Sequence, residues 1–143
     1  MRLTRGADYG ARGMLYLAQQ PSDSVVLVGK IASEERLPES YLAKIFQDLA
    51  KEGVIRSHRG AKGGFSLARP ADQISLREII EAIDGPIALN RCLAPWEGCD
   101  KIETCSLYPI LAKAQQELLG VLDSVTLQEL ANNSSTWLGE DAP

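Results

Sequence analysis

The chain has 143 residues, 45% of them hydrophobic and 24% charged, which is ordinary for one globular domain. No apolar stretch approaches the ~20 residues that a membrane-spanning helix needs, and the first 20 residues contain no uninterrupted apolar region of the signal-peptide type. These features exclude an integral membrane protein and, with an odd number of thiols, predict a cytoplasmic protein that has no membrane partner.

Charge is distributed unevenly along the chain. The net charge of −4 argues against binding of nucleic acid, but the two halves of the chain differ. Residues 1–70 hold 11 Lys and Arg against 7 Asp and Glu, whereas residues 71–143 hold 4 Lys and Arg against 12 Asp and Glu. The segment from Arg56 to Arg69 contains four basic residues and no acid. Such a local basic excess is what contact with phosphates requires, although a solvated charged face explains most asymmetries of this size.

The first half of the chain predicts three helices. Apolar residues at helical spacing predict helices over about Thr4–Gln20, Ile31–Glu35 and Glu39–Lys51. The third has a core face and an opposite polar face. The core face is formed by Leu42, Ile45, Phe46 and Leu49, and the polar face by Ser40, Lys44, Gln47 and Lys51. A short helix, a turn and a second amphipathic helix match a helix-turn-helix, and by themselves they match an ordinary two-helix corner about equally well.

A basic hairpin is predicted directly after the third helix. Gly53 ends the helix, and two strands, Val54–Arg59 and Phe65–Arg69, flank a glycine-rich turn over Gly60–Gly64. The turn lacks both common phosphate-loop patterns, and no parallel βαβ unit surrounds it. We therefore interpret the hairpin as a wing, a β-ribbon that contacts the DNA backbone or the minor groove.

Two capping-box patterns and one long helix follow. Ser75 to Glu78 opens a helix that ends at Asp84, and Thr126 to Glu129 opens a short helix to about Asn132.

Between these two helices a long helix is predicted from about Tyr108 or Pro109 to Asp123. Its apolar stripe is formed by Leu107, Leu111, Ala114, Leu118, Val121 and Val125. A monomer core could show the same stripe, but a small domain offers little core to so long a helix, so we expect a dimer.

All three cysteines lie in one 14-residue window with the spacing C-x6-C-x5-C: Cys92, Cys99 and Cys105. Three thiols cannot all pair with one another, and thiolates are the usual ligands of iron–sulfur clusters. Three thiolates would leave one coordination position for another residue. The spacing differs from the C-x2-C pattern of common zinc sites. A metal-binding loop joined to a DNA reader suggests a sensor.

The sequence resembles the Rrf-two family of bacterial winged-helix regulators, which includes IscR, NsrR and RirA. The matching segments are Met1–Thr4, Ser40-Tyr41-Leu42, Gly53-Val54-Ile55, Arg59–Phe65 with Leu67–Pro70, Ile74, Leu76, Ile79, Asp84-Gly85 and Leu122–Leu127. The resemblance covers about residues 1–132, and the wing segment is specific to the family.

The resemblance implies a mainly α fold: a winged helix-turn-helix with a two-stranded wing and a long C-terminal dimerisation helix. It divides the chain into a DNA-binding domain (1–85), a cysteine loop (86–108), a dimerisation helix with its cap (109–132) and a flexible tail (133–143). It also implies a homodimer on palindromic double-stranded DNA. The residues of the third helix and of the basic hairpin that we predict to contact DNA are Ser40, Tyr41, Lys44, Gln47, Arg56, His58, Arg59, Lys62 and Gly63.

Members of the family that keep three loop cysteines bind an iron–sulfur cluster, whose state sets the affinity for DNA. In IscR-like members a histidine three residues after the last cysteine is the fourth ligand, but here Tyr108 occupies that position. In NsrR-like members an aspartate of the partner subunit completes the site, and Asp8 is at the matching place. We favour Asp8 as ligand over Tyr108, and a four-iron (4Fe–4S) cluster over a two-iron (2Fe–2S) one. Asp8 fits equally well as a first-turn acid that complements the helix dipole.

Three classes of function follow. The leading class is a cluster-gated transcriptional regulator, in particular a repressor, that senses iron, redox state or nitric oxide. The second is a winged-helix repressor whose cysteines bind zinc or act as bare redox-active thiols. An enzyme or electron carrier is not expected, because the single histidine, His58, is in the predicted wing and no acid/base or nucleophile grouping exists.

Overall fold

A computed structural model describes residues 2–132 of the chain. It confirms the predicted fold class, a mainly α winged helix-turn-helix with a two-stranded wing. The elements in chain order are α1 (Arg5–Ala18), α2 (Val28–Glu35), α3 (Glu39–Lys51), β1 (Ile55–His58), β2 (Gly64–Leu67), α4 (Leu76–Asp84), α5 (Leu107–Ser124) and α6 (Leu127–Asn132). The tail predicted to be flexible, residues 133–143, lies outside the described residues.

Helix α1 packs against both α3 and α4. Its first turn is fixed by Thr4, whose side chain accepts a hydrogen bond from the Ala7 backbone N–H at 3.0 Å and therefore caps the helix from outside it. The helix consequently begins one residue later, and ends two residues earlier, than predicted. A Cβ at Gly10 would lie 2.3 Å from Cδ1 of Ile83, so a glycine is needed for α4 to approach this closely.

The helix-turn-helix forms the centre of the core. Helix α2 begins at Val28, three residues before the predicted start, because the Leu27 carbonyl accepts hydrogen bonds from the N–H groups of Lys30 and Ile31. It ends at Glu35, and the capping residue Arg36 has left-handed backbone angles. Helix α3 has the predicted bounds, and its predicted core face is confirmed, with all four residues at most 4% exposed: Leu42, Ile45, Phe46 and Leu49.

The wing is an antiparallel hairpin with Ile55 opposite Leu67 and His58 opposite Gly64. Both strands are shorter than predicted, because their backbone pairing extends only from the pair Ile55 and Leu67 to the pair His58 and Gly64. Phe65 joins the hairpin to the domain. Its ring packs edge-on against Phe46 at 5.2 Å, and its backbone pairs with Val26.

One predicted capping box is complete and the other is half formed. At α6, Thr126 and Glu129 exchange both hydrogen bonds, at 3.0 and 3.1 Å. At α4, Ser75 accepts from the Glu78 N–H at 3.1 Å, but the Glu78 carboxylate pairs with Arg69 instead of returning to Ser75. The expectation of a reciprocal box at α4 was therefore wrong, because Arg69 provides a charged partner.

Helix α5 begins at Leu107, just before the predicted start, and none of its residues is buried. One side, with Leu118, Leu119 and Leu122, packs on Ile80 and Ile87. The predicted stripe is divided, because Leu118 packs on the domain and Val125 is buried, whereas Leu107 and Val121 are 67% and 55% exposed. Ile110, outside the predicted stripe, is 67% exposed as well. We call Leu107, Ile110 and Val121, which the described chain leaves uncovered, the exposed apolar face of α5. Within residues 2–132 no helix is both long and apolar enough to cross a membrane.

We predict that Phe46→Ala lowers the free energy of unfolding by about 3–5 kcal/mol, because it leaves a cavity beneath Phe65 and between the helices. Urea denaturation at fixed protein concentration measures this change. Lys51→Ala, an exposed substitution on the same helix, is the control and should change stability by less than about 0.5 kcal/mol. An equal effect of the two substitutions would contradict the described core.

Candidate DNA-binding face and cysteine loop

The predicted recognition face of α3 is exposed at each of its predicted DNA-contacting residues: Ser40, Tyr41, Lys44 and Gln47. Tyr41 is 40% exposed, and its ring meets that of Tyr9 edge-on at 5.7 Å. The start of α3 is therefore braced against α1, while its polar face points to solvent. A helix presented in this way has the shape that enters a major groove.

The wing presents three exposed cations, Arg56, Arg59 and Lys62. Within residues 2–132 none of them is in an ion pair, whereas Arg69 at the base of the wing is paired with Glu78. Unpaired cations on one hairpin are suited to phosphate contact, because no acid has to be displaced.

His58 and Gly63 are placed differently from the wing cations. The exposed His58 shares a hydrogen bond of 2.7 Å between its Nε2 and Oγ of the buried Ser66. Gly63 is buried in the turn, its N–H donates to the Gly60 carbonyl at 2.9 Å, and a Cβ there would lie 2.6 Å from the His58 carbonyl. Gly63 therefore shapes the tip of the wing, and the DNA contact predicted for it stays a prediction.

The three cysteines are free thiols. Cys92 and Cys105 are half-buried and Cys99 is exposed. Among residues 2–132, no three His, Cys, Asp or Glu side chains lie close enough together to hold a metal ion. The loop brings the thiols into one region of one chain without assembling them into a site.

The two candidates for a fourth ligand lie on different helices. Asp8 is in the first turn of α1, where its Oδ1 accepts from Nε of Arg12 at 3.1 Å, and both side chains are about half exposed. Tyr108 is half-buried in the first turn of α5. Exposed ion pairs of this kind contribute little to stability, so the Asp8 carboxylate is free to change partner.

The sequence did not predict how the cysteine loop is attached to the helices. The Ile87 N–H donates to Oε1 of Glu81 at 3.2 Å, and the Leu89 N–H donates to Oε1 of Gln115 at 2.9 Å. Gln115 could have been noticed, since it is a polar residue on the same side of α5 as Leu111, Leu118 and Leu122. No sequence pattern indicates its backbone partner.

A helix with an exposed polar face, a basic wing and a helix with an exposed apolar face define a winged-helix DNA-binding protein. The family model for Rrf2, described as an iron-dependent transcriptional regulator, matches residues 3–133. The chain belongs to this family, the Rrf-two family that the sequence resembles. Regulators of this family bind DNA, are generally dimeric and are not enzymes, so the prediction of a non-enzymatic regulator is confirmed.

Known relatives cover nearly the whole chain. An HTH-type transcriptional regulator of Mycobacterium tuberculosis is 32% identical over 94% of this chain and 83% of its own length. IscR of Serratia proteamaculans is 30% identical over 99% of this chain and 85% of its own length. Among solved structures, CymR of B. subtilis, described as the global cysteine regulator, has a TM-score of 0.71 and 28% identity, over 92% of this chain and 97% of that one.

We predict that Arg59→Ala and Lys62→Ala each weaken DNA binding on every duplex tested and reduce the slope of log K against log salt by about 0.9, the value for one lost phosphate contact. Filter binding at several salt concentrations measures both effects. Lys113→Ala, an exposed change on α5, is the control. An unchanged salt slope in both wing variants would remove the wing from the interface.

Proposed function

We propose that this chain is a homodimeric transcriptional repressor of palindromic operators whose affinity for DNA depends on an iron–sulfur cluster bound by the cysteine loop. The observation that carries the proposal is the set of three free thiols, Cys92, Cys99 and Cys105, between the DNA-binding elements and α5. No other group of soft ligands occurs in the sequence.

The chemistry of the donor set fits such a cluster. Thiolates are its usual ligands, and each of the three thiols is at least partly accessible. A bound cluster would supply a group whose charge and integrity depend on iron supply, redox state or nitric oxide. Three thiolates leave one coordination position, and the correspondence of Asp8 with the aspartate of NsrR-like members favours a ligand from a second subunit. We propose Asp8 of the partner subunit for this position, with Tyr108 as the alternative, and a 4Fe–4S cluster.

The proposal assigns a role to Arg12 and to α1. Arg12 holds Oδ1 of the Asp8 carboxylate in the separate chain, and metal binding through this oxygen would replace that contact. Helix α1 packs on α3 and also on α4, through Ala7 and Ile80. A change of partner at Asp8 therefore acts on a helix that touches the recognition helix, so no long-range pathway is required.

The DNA-binding surface would be formed by α3 and the wing. We propose that Ser40, Tyr41, Lys44 and Gln47 face base edges, since the N-terminal part of a recognition helix enters the major groove. Arg56, His58, Arg59 and Lys62 would then contact the backbone beside it. In a dimer the two copies of this surface would face two half-sites of a palindrome.

The likeness to CymR favours a second candidate function. CymR of B. subtilis is described as a cysteine regulator, and its fold matches this chain as a whole. With thiols that are free and not gathered into a site, this chain could also act through zinc or through bare redox-active cysteines. A colourless protein with stoichiometric zinc, or with no metal at all, would select this candidate.

Anaerobic reconstitution of the full chain with ferrous iron and sulfide tests the proposal. We predict broad visible absorption bands in the wild type, and their loss in Cys92→Ala, Cys99→Ala and Cys105→Ala, because each variant lacks a thiolate ligand. Ser106→Ala, beside the last cysteine, is the control and should retain the bands. A wild type without these bands would refute the cluster.

The same spectra separate the two candidates for the fourth ligand. We expect Asp8→Ala to change the spectrum or shorten the lifetime of the cluster, while the circular dichroism of the metal-free protein is unchanged. Tyr108→Phe should resemble the wild type. If Tyr108→Phe alters the spectrum and Asp8→Ala does not, Tyr108 is the ligand and the assignment across subunits is wrong.

The exposed apolar face of α5, with Leu107, Ile110 and Val121, predicts the dimer. Ile110→Asp places a charge in this face and should shift the protein from dimer to monomer in sedimentation velocity, because the uncovered apolar face drives association. Gln116→Asp, on another face of the same helix, is the matched control and should remain dimeric. A monomeric wild type, or a dimeric Ile110→Asp, would contradict this role of α5.

A further inference from the structure

The chain between α4 and Cys92 is held at two alternate residues by side chains from two different helices. Glu81 of α4 accepts from the Ile87 N–H at 3.2 Å, and Gln115 of α5 accepts from the Leu89 N–H at 2.9 Å. The two acceptors thus hold backbone groups that are two residues apart in the chain. We call Glu81 and Gln115 the loop clamp.

The surroundings reinforce the loop clamp. Ile87 is 8% exposed and belongs to a hydrophobic cluster with Ile80 of α4, against which Leu118 of α5 packs, so its backbone is held near the contact with Glu81. Glu81 is oriented in turn by Arg77, whose Nε lies 3.4 Å from the same carboxylate. Arg77 also reaches Asp123 at the end of α5, at 3.7 Å. Two helices and one apolar contact thus fix the start of the cysteine loop.

The remainder of the loop is attached differently. In the described chain, residues 94–105 form hydrogen bonds only among themselves and with Arg91, and none with α1 to α5. Cys92 is three residues beyond the clamped Leu89, whereas Cys99 and Cys105 belong to the unclamped part. The three thiols therefore differ in how firmly the fold holds them.

We propose that Gln115 and Glu81 are positioning residues that hold Cys92 at a fixed place, around which the rest of the loop closes on a metal. The inference rests on the proposed function in that it takes the thiolates as metal ligands. Fixing one ligand in advance lowers the ordering cost of binding, because fewer backbone and side-chain conformations are lost. Loss of the clamp should weaken metal binding although neither residue is a ligand.

Three variants of the full chain isolate the contact of Gln115. Gln115→Met keeps the length of the side chain and removes its acceptor oxygen, whereas Gln115→Glu restores an acceptor. Gln116→Met is the matched control, because Gln116 is the exposed neighbour on the same helix. Sedimentation velocity and thermal unfolding check that all three variants are folded dimers like the wild type.

Two measurements are made on each variant. Hydrogen exchange at the Leu89 amide of the metal-free protein, measured by NMR, reports the clamp itself. Anaerobic titration with Co²⁺, followed by the sulfur-to-cobalt charge-transfer absorption, reports thiolate binding. We expect Gln115→Met to raise the exchange rate about fivefold and to weaken Co²⁺ binding about fivefold, the loss expected for one hydrogen bond. Gln115→Glu and Gln116→Met should behave as the wild type.

Each alternative outcome is decisive. Unchanged Leu89 exchange in Gln115→Met shows that the clamp is absent in solution, and unchanged Co²⁺ affinity shows that it does not position the thiolates. Equal weakening in Gln116→Met would mean a general effect of altering α5, and would also overturn the inference. A wild type that binds no Co²⁺ refutes the thiolate metal site, while the exchange rates still decide whether Gln115 holds the loop.

Discussion

The packing of α1 against α4 is the contact on which the rest of the structure depends. Ala7 is fully buried, Gly10 allows Ile83 to approach closely, and the Thr4 hydroxyl donates to Oδ1 of Asp84 at 2.6 Å, so the start of α1 is tied to the end of α4. Helix α1 also supports α3, and the chain leaving α4 leads directly into the cysteine loop. The DNA-binding helix, Asp8 and the start of the loop are therefore attached to one rigid junction.

This junction separates two surfaces of opposite character. The wing and α3 present polar side chains and cations that form no ion pair within residues 2–132, whereas α5 presents the exposed apolar face formed by Leu107, Ile110 and Val121. The cysteine loop connects the two, and in the part of the chain that the structure describes its side-chain hydrogen bonds to the helices lie at its start, where Glu81 and Gln115 hold it. In the proposed function, a ligand that draws the thiols together would act between the winged helix-turn-helix and α5. In this account, sensing and DNA binding are coupled through adjacent contacts.

Much of this fold could be predicted from local sequence patterns. The core face of α3, the wing and the cap at Ser75 follow from periodicity, glycine positions and capping residues, and all are observed. What could not be predicted depends on partners distant in sequence. Arg69 takes the Glu78 carboxylate, Leu118 turns from the predicted stripe to the domain, and Gln115 binds a backbone group 26 residues away. The cysteine spacing indicated a metal-binding loop, but it contains no information on how one chain arranges the three thiols.

The coupling between the cysteine loop and DNA is tested most directly by one comparison of affinities. A duplex selected in vitro by the protein is titrated under anaerobic conditions with wild-type protein, cluster-loaded and cluster-free, at the same salt concentration. The account predicts dissociation constants that differ by about tenfold or more, within the range typical of coupled sites. Equal dissociation constants for the two forms, with the visible spectrum of the loaded form intact throughout, would contradict it.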